Sequence, residues 1–112
     1  MNEQDTQDII KRFSDLLHSR EIVSAERWAD IGGDLQILMY RTNVERLAKE
    51  IIAKKKLKEL RSSFPSNIDA KTEWETTDEW AEWQKTEGVF EGLKGFKSTA
   101  NNESNVRKNN NF

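Results

Sequence analysis

The feature that most constrains this fold is residues 34–64, which contain no helix-breaking residue and carry apolar side chains on two opposite faces. At about 100° per residue in an α-helix, one face holds Ile37, Tyr40, Val44, Leu47, Ala48 and Ile51. The opposite face holds Leu35, Leu38, Met39, Ala53, Leu57, Leu60 and Phe64. A helix that is apolar on both sides needs more than one neighbour. The pattern therefore predicts an all-α fold with a long central helix.

Capping residues indicate where the first helices begin. Asp5 or Thr6 is suited to cap a first helix that ends near residues 18–20. Ser24 is suited to cap a second helical stretch. The Gly32-Gly33 pair that follows lowers helix stability, and it is compatible with either a break or a kink in the helix. Because a residue before proline disfavours helical geometry, we expect the central helix to end at residues 62–64, just before Pro65.

The C-terminal part of the chain predicts one more helix and a tail. Thr76 and Glu79 have the spacing of a capping box, which places the start of this third helix at Thr76. Residues 101–112 are rich in asparagine and poor in apolar side chains, so we predict a disordered tail there. The expected fold is three helices in a single domain over residues 1–100. They would pack as a helical hairpin or in a coiled-coil-like manner, and oligomerisation would complete the fold.

Composition narrows the range of possible functions. The chain has no cysteine, which excludes thiolate metal sites and thiol nucleophiles. His18 is the single histidine and has no second metal ligand or catalytic partner suggested by spacing. Residues 1–8 are polar and acidic, unlike a signal peptide, and no apolar run is long enough to span a membrane. We therefore expect a cytoplasmic, non-enzymatic protein without a cofactor, a metal or a membrane partner.

Charge is distributed in blocks. Residues 41–61 carry 8 basic and 3 acidic side chains, whereas residues 69–91 carry 2 basic and 8 acidic ones. The densest basic cluster is a candidate nucleic-acid-binding site that consists of Lys54, Lys55, Lys56, Lys58 and Arg61. Such a cluster can neutralise phosphates without reading base sequence. The simpler interpretations are a solvated helix face or ion pairing with the acidic block of a neighbouring chain.

The acidic block contains aromatic residues that predict either a core or an interface. Trp80, Trp83 and Phe90 lie along one side of the third helix, which is typical of a face packed in the core. The other interpretation is a partner-binding surface, since tryptophan often anchors protein interfaces. Stacking on single-stranded nucleic acid uses aromatics in a basic groove, and the surrounding charge here is acidic.

A basic helix end is followed by a tryptophan-bearing helix, and the basic end reads Ala53-Lys54-Lys55-Lys56-Leu57-Lys58-Glu59-Leu60-Arg61. This arrangement resembles small all-helical bacteriophage accessory proteins, including the T4-type recombination mediators. The resemblance is architectural and covers about half of the chain. It implies assembly into rings and binding of single-stranded DNA, with Lys56, Lys58 and Arg61 as the strand-binding candidates. The acidic block around Trp80 departs from it.

Two functions are therefore expected from the sequence. The first is a non-catalytic, self-associating helical accessory protein that binds single-stranded DNA or another nucleic acid through its basic helix. The second is a protein–protein adaptor, scaffold or inhibitor that uses the acidic, tryptophan-rich segment as its recognition surface.

Overall fold

A computed structural model describes residues 3–109, and this part of the chain consists of helices and the segments that connect them, without strands. It has four helices: α1 (Glu3–Leu17), α2 (Ala25–Arg61), α3 (Asn67–Trp74) and α4 (Asp78–Asn109). The predicted all-α class and long central helix are confirmed, but the predicted number of three helices is wrong. None of these helices combines the length and the apolar character needed to cross a membrane. Self-association and coiled-coil packing stay predictions.

The long helix α2 begins where its cap predicts and runs through the glycine pair. The backbone N–H of Arg27 donates to Ser24 Oγ at 3.3 Å, which confirms Ser24 as the cap. Gly32 is buried, and a Cβ added there would lie 3.1 Å from Asn101 Oδ1 and 3.7 Å from Ala100 Cβ. Glycine at this position therefore allows α4 to approach α2 closely, and the pair neither breaks nor ends the helix.

Gly33 gives a first prediction about stability. A Cβ added at Gly33 would meet nothing within 4 Å, so Gly33→Ala adds helix propensity without a clash. We expect it to raise the free energy of unfolding by about 0.5–1 kcal/mol. Urea denaturation followed by circular dichroism measures this. Gly32→Ala is the matched control and should gain less, because Asn101 has to move. A destabilised Gly33→Ala protein would contradict the prediction.

The short helix α3 was not predicted, and it changes where the last helix begins. The backbone N–H of Asp69 donates to Ser66 Oγ at 3.1 Å, so Ser66 caps α3 directly after Pro65. The predicted cap of the last helix, Thr76, is wrong by one residue. Thr77 accepts from the backbone N–H of Trp80 at 3.3 Å, while the Thr76 hydroxyl donates back to the Glu73 carbonyl. The expected start of α1 at Asp5 or Thr6 is also wrong, since α1 already includes Glu3.

The predicted disordered tail is wrong as far as Asn109, because α4 continues to that residue. Tertiary contacts explain why an asparagine-rich segment is helical. Ala100 is fully buried, and Ser104 Oγ donates to the Ala25 carbonyl at 3.0 Å. The Arg107 guanidinium lies 5.5 Å from the Trp28 ring centroid and pairs with Glu103. Residues 110–112 of the predicted tail lie outside the described residues.

The single domain predicted over residues 1–100 stays a prediction. The described residues group into two compact units. The first unit contains residues 1–41 and 91–112, and the second contains residues 42–90. In the first unit α1, the start of α2 and the end of α4 enclose a core of Phe13, Val23, Trp28, Ile31, Leu35, Leu38, Leu93 and Ala100. Phe13 stacks on Phe96 with 4.8 Å between ring centroids.

The second unit packs the remainder of α2 against α3 and the start of α4. Ala53, Ala70 and Trp74 are buried, and Leu57, Leu60 and Phe64 are half-buried. Ala53, Leu57 and Leu60 of α2 belong to one of the two predicted apolar faces, as does Phe64 just after the helix. In both units that face is the one that packs inside the chain. The other predicted face is largely exposed, as described below.

Candidate nucleic-acid interface

The basic cluster occupies the last turns of α2, which ends at Arg61, one residue before the range of 62–64 predicted from Pro65. Lys58 and Arg61 lie in the last turn, where positive charge is favourable because the helix dipole is negative at this end. Ser62 Oγ donates to the Glu59 carbonyl at 2.6 Å and satisfies one of the terminal carbonyl groups. The helix end thus presents five basic side chains with different surroundings.

Lys54 is engaged within the second unit. Its Nζ lies 2.8 Å from Glu50 Oε1 and 6.0 Å from the Trp83 ring centroid. The hydrogen bond from Lys54 lowers the pKa of Glu50 below its usual value, although burial acts in the opposite direction. A carboxylate with a lowered pKa stabilises the folded state at pH values above its ordinary pKa and loses that contribution as the pH falls. Lys54 is therefore a partly neutralised member of the cluster.

Lys56 faces the acidic start of α4. Its Nζ lies 4.0 Å from Glu79 Oε2, at the outer limit of an ion pair, and both side chains are about one third exposed. The alternative interpretation of the cluster was pairing with the acidic block of a neighbouring chain, whereas this contact joins the basic and acidic blocks within one chain. A surface pair of this kind contributes only about 0–1 kcal/mol to stability, so it is easily exchanged for another anion.

The remaining three members of the cluster are available to a ligand. Lys55, Lys58 and Arg61 are exposed, and none of them pairs with an acidic side chain in residues 3–109. They lie on successive turns of α2, so three positive charges are presented over about 9 Å of helix axis at 1.5 Å per residue. This spacing suits contact with consecutive phosphates of a polyanion.

A buried hydrogen bond holds α3 against the turn that carries the lysines. Trp74 Nε1 donates to the Ala53 carbonyl at 2.7 Å, and its ring lies 5.8 Å from that of Trp83. Ala70 packs alongside and is fully buried. The sequence analysis did not single out Trp74 as an anchor. The available signal was its position four residues after Ala70, which places both small and large apolar side chains on one face.

The aromatic partner-binding candidates form part of the second unit. Trp83 Nε1 donates to Glu87 Oε1 at 3.1 Å, and Arg46 Nη1 donates to the same oxygen at 2.8 Å. The Arg46 guanidinium also binds Asn43 Oδ1 and lies 4.8 Å from the Phe90 ring centroid. Trp80, Trp83 and Phe90 are all half-buried. The structure thus brings Trp83 and Phe90 into one network centred on Arg46, which sequence reasoning missed.

An apolar stripe lies exposed on α2 in the second unit. It consists of Val44, Leu47, Ala48, Ile51 and Ile52. Val44 is 56% exposed, Leu47 44%, Ile51 70% and Ile52 51%. In the first unit, Ile37 and Tyr40 of the same predicted face are also exposed. Within a single chain, therefore, only one of the two predicted apolar faces of α2 is buried, and the face that contains Val44 and Ile51 is exposed.

Histidine and acidic residues form no metal site in the described part of the chain. Among residues 3–109, no group of three or more histidine, aspartate or glutamate side chains is arranged to hold a metal ion. His18 Nδ1 lies 2.9 Å from the Ser14 carbonyl, one turn earlier at the end of α1.

Comparison with known proteins gives no match: no family model, no curated protein and no solved structure is significantly similar to this chain.

Proposed function

We propose that this chain is a non-catalytic, self-associating helical accessory protein that binds nucleic acid through the end of α2. The observation that carries the proposal is the exposure of Lys55, Lys58 and Arg61, which have no acidic partner in residues 3–109. Such side chains bind phosphates by releasing counterions, which gives affinity without base specificity. The resemblance to bacteriophage recombination mediators, inferred from the sequence, agrees with this proposal.

The surroundings of the cluster support the assignment of roles. Lys54 and Lys56 already interact with Glu50 and Glu79, so they contribute less to ligand binding than the three unpaired side chains. The exposed apolar stripe lies on the same helix and in the same unit, directly before the basic turns. Self-association through this stripe would place several basic clusters on one particle and multiply weak phosphate contacts.

Titration of labelled DNA tests nucleic-acid binding. With single-stranded and duplex oligonucleotides in anisotropy measurements, affinity for duplex should fall roughly 40-fold between about 50 mM and about 200 mM salt if three phosphates are neutralised. The triple variant Lys55→Gln/Lys58→Gln/Arg61→Gln should lose this binding.

The control keeps the same change in net charge elsewhere. Lys71→Gln/Lys85→Gln/Lys108→Gln also removes three positive charges, from α3 and α4. This control should bind nearly as well as the original chain. Equal losses in the two triple variants would show that binding follows net charge and not the α2 cluster, and absence of binding at low salt would refute the proposal.

A protein adaptor is the second candidate function. It is favoured by Ile68, which is 78% exposed on α3, and by the exposed acidic side chains Glu73, Glu75 and Asp78 nearby in the sequence. An exposed apolar side chain in an acidic segment suits a basic partner segment. Trp83 and Phe90, which the sequence suggested as anchors of such a surface, make contacts within the chain, so Ile68 is the better candidate anchor.

A further inference from the structure

The apolar stripe on α2 has the symmetry that a two-fold pair requires. Ala48 lies at its centre, Val44 precedes it by four residues, and Ile52 follows it by four. These three residues form one ridge of the helix surface, the kind that interdigitates with the same ridge of another helix at a crossing angle of about 50°. The small side chain of Ala48 at the midpoint allows close approach, and the bulkier residues on either side would fill the space around the crossing.

Charges beside the stripe match the same symmetry. Glu45 and Lys49 lie on one edge of the stripe, and neither pairs with a described residue although they are four residues apart on one helix. In an antiparallel pair centred on Ala48, Glu45 of one copy and Lys49 of the other differ by about 3 Å along the helix axis. Two symmetric pairs of opposite charge would thus border the apolar contact, whereas a parallel pair would place Glu45 level with Glu45 and Lys49 level with Lys49. Lys55 of one copy and Arg41 of the other come level in the antiparallel pair, but they lie about 10 Å from the crossing, where a crossing angle of about 50° separates the two helices.

We propose that the apolar stripe is occupied by a second copy of this chain, with the two α2 helices antiparallel and related by a two-fold axis at Ala48. The self-complementary ridge and the unpaired Glu45 and Lys49 carry this inference. In a two-fold interface the same patch contributes from both subunits, so each copy satisfies the other's exposed residues.

The proposed pair of chains predicts the size of the nucleic-acid ligand, and this prediction rests on the proposed function. Lys58 and Arg61, two of the three unpaired members of the cluster, lie within about 60° of each other on one edge of the stripe, while Lys55 continues the stripe beyond Ile52. A two-fold axis between antiparallel helices places this edge of both copies on the same side of the dimer. Lys58 is ten residues from Ala48, so the two clusters lie roughly 30 Å apart. The expected ligand is a polyanion long enough to span both, such as a duplex of about one helical turn.

Single cysteines test the arrangement cleanly, because the chain contains no cysteine of its own. A disulfide forms only between residues whose Cα atoms lie within about 7 Å. Under mild oxidation, Ala48→Cys should therefore give a cross-linked dimer. Val44→Cys and Ile52→Cys should cross-link only when the two variant chains are mixed, with one of them carrying a size tag. Self-linking of Val44→Cys, or no link at position 48, would overturn the proposed pair.

A length series of duplex hairpins tests the bridging of two basic clusters. Stems of about 6 and about 14 base pairs are ~20 Å and ~48 Å long at ~3.4 Å per base pair. The original chain should bind the longer stem at least about tenfold more tightly, because the second contact becomes intramolecular. Leu47→Asn/Ile51→Asn should be monomeric by light scattering and bind both stems about equally. Ile68→Asn changes an apolar side chain on α3 that is more exposed than Leu47 and Ile51, and it should keep the length dependence.

The results separate this inference from the proposed function. Binding to neither stem at low salt refutes the proposed function, while the cysteine series still decides whether the pair exists. A cross-linked pair that binds both stems equally refutes the shared basic side. A monomeric original chain at the concentrations used for binding refutes the pair itself.

Discussion

Replacing Leu35 with alanine is expected to lower the free energy of unfolding by about 3–5 kcal/mol. Leu35 is fully buried and lies in the core of the first unit with Phe13, Trp28 and Leu93. Truncation removes the favourable transfer of its side chain out of water and leaves a cavity between three helical segments, which can close only in part. Total stabilities of small proteins are commonly about 5–15 kcal/mol, so this loss is a large fraction of the whole.

Two further variants serve as controls for Leu35→Ala. Leu35→Met conserves volume and should cost less than about 1.5 kcal/mol. Leu17→Ala removes the same atoms from a side chain of α1 that is 49% exposed, and it should cost much less. Denaturant unfolding followed by circular dichroism measures all three. Similar losses for Leu35→Ala and Leu17→Ala would contradict the described core.

Replacing Trp74 with alanine is expected to cost about 3–5 kcal/mol, the largest effect in the second unit. The buried indole fills the space between α3, Ala53 on α2 and the Trp83 ring, and its N–H is bonded to the Ala53 carbonyl. Trp74→Phe retains much of the ring and removes the hydrogen bond, which contributes about 0.5–1.5 kcal/mol. We therefore expect an intermediate loss for Trp74→Phe.

The control for Trp74 lies on the same short helix. Ile68→Ala changes a side chain that is 78% exposed and should alter stability by less than about 0.5 kcal/mol. Unfolding in denaturant, monitored by circular dichroism, compares the three variants. If Trp74→Phe were as stable as the original chain, the hydrogen bond to Ala53 would contribute nothing measurable, and the anchoring of α3 would depend on ring packing alone.

Local signals in the sequence account for the parts of the fold that were predicted. Ser24 begins α2 and Pro65 follows its end because capping and proline geometry act over a few residues. Helix α3 was missed because its eight residues are too few to show a clear period, and only Ala70 and Trp74 are buried in it. The helical end of α4 was missed because its asparagines have low propensity, and its stability comes from contacts with Ala25 and Trp28.

The candidate site was predictable to a similar extent. The basic cluster could be read directly, and the pairing of Lys54 with Glu50 follows from their spacing of four residues. The approach of Lys56 to Glu79 depends on how α4 packs against α2, which no local pattern reveals. The same is true of Arg46, whose contact with Glu87 joins residues 41 positions apart. Charge counting alone therefore treats engaged and available cations alike.

The indole bond to Ala53 has a further consequence for how the lysines meet a ligand. Because that carbonyl is held from outside the helix one residue before Lys54, the backbone under the basic turns is already fixed before anything binds. The entropy lost on binding then falls on the lysine and arginine side chains and not on the main chain. The helix end behaves as a rigid template with mobile charges, and it differs in this respect from the basic tails that fold only on contact with nucleic acid.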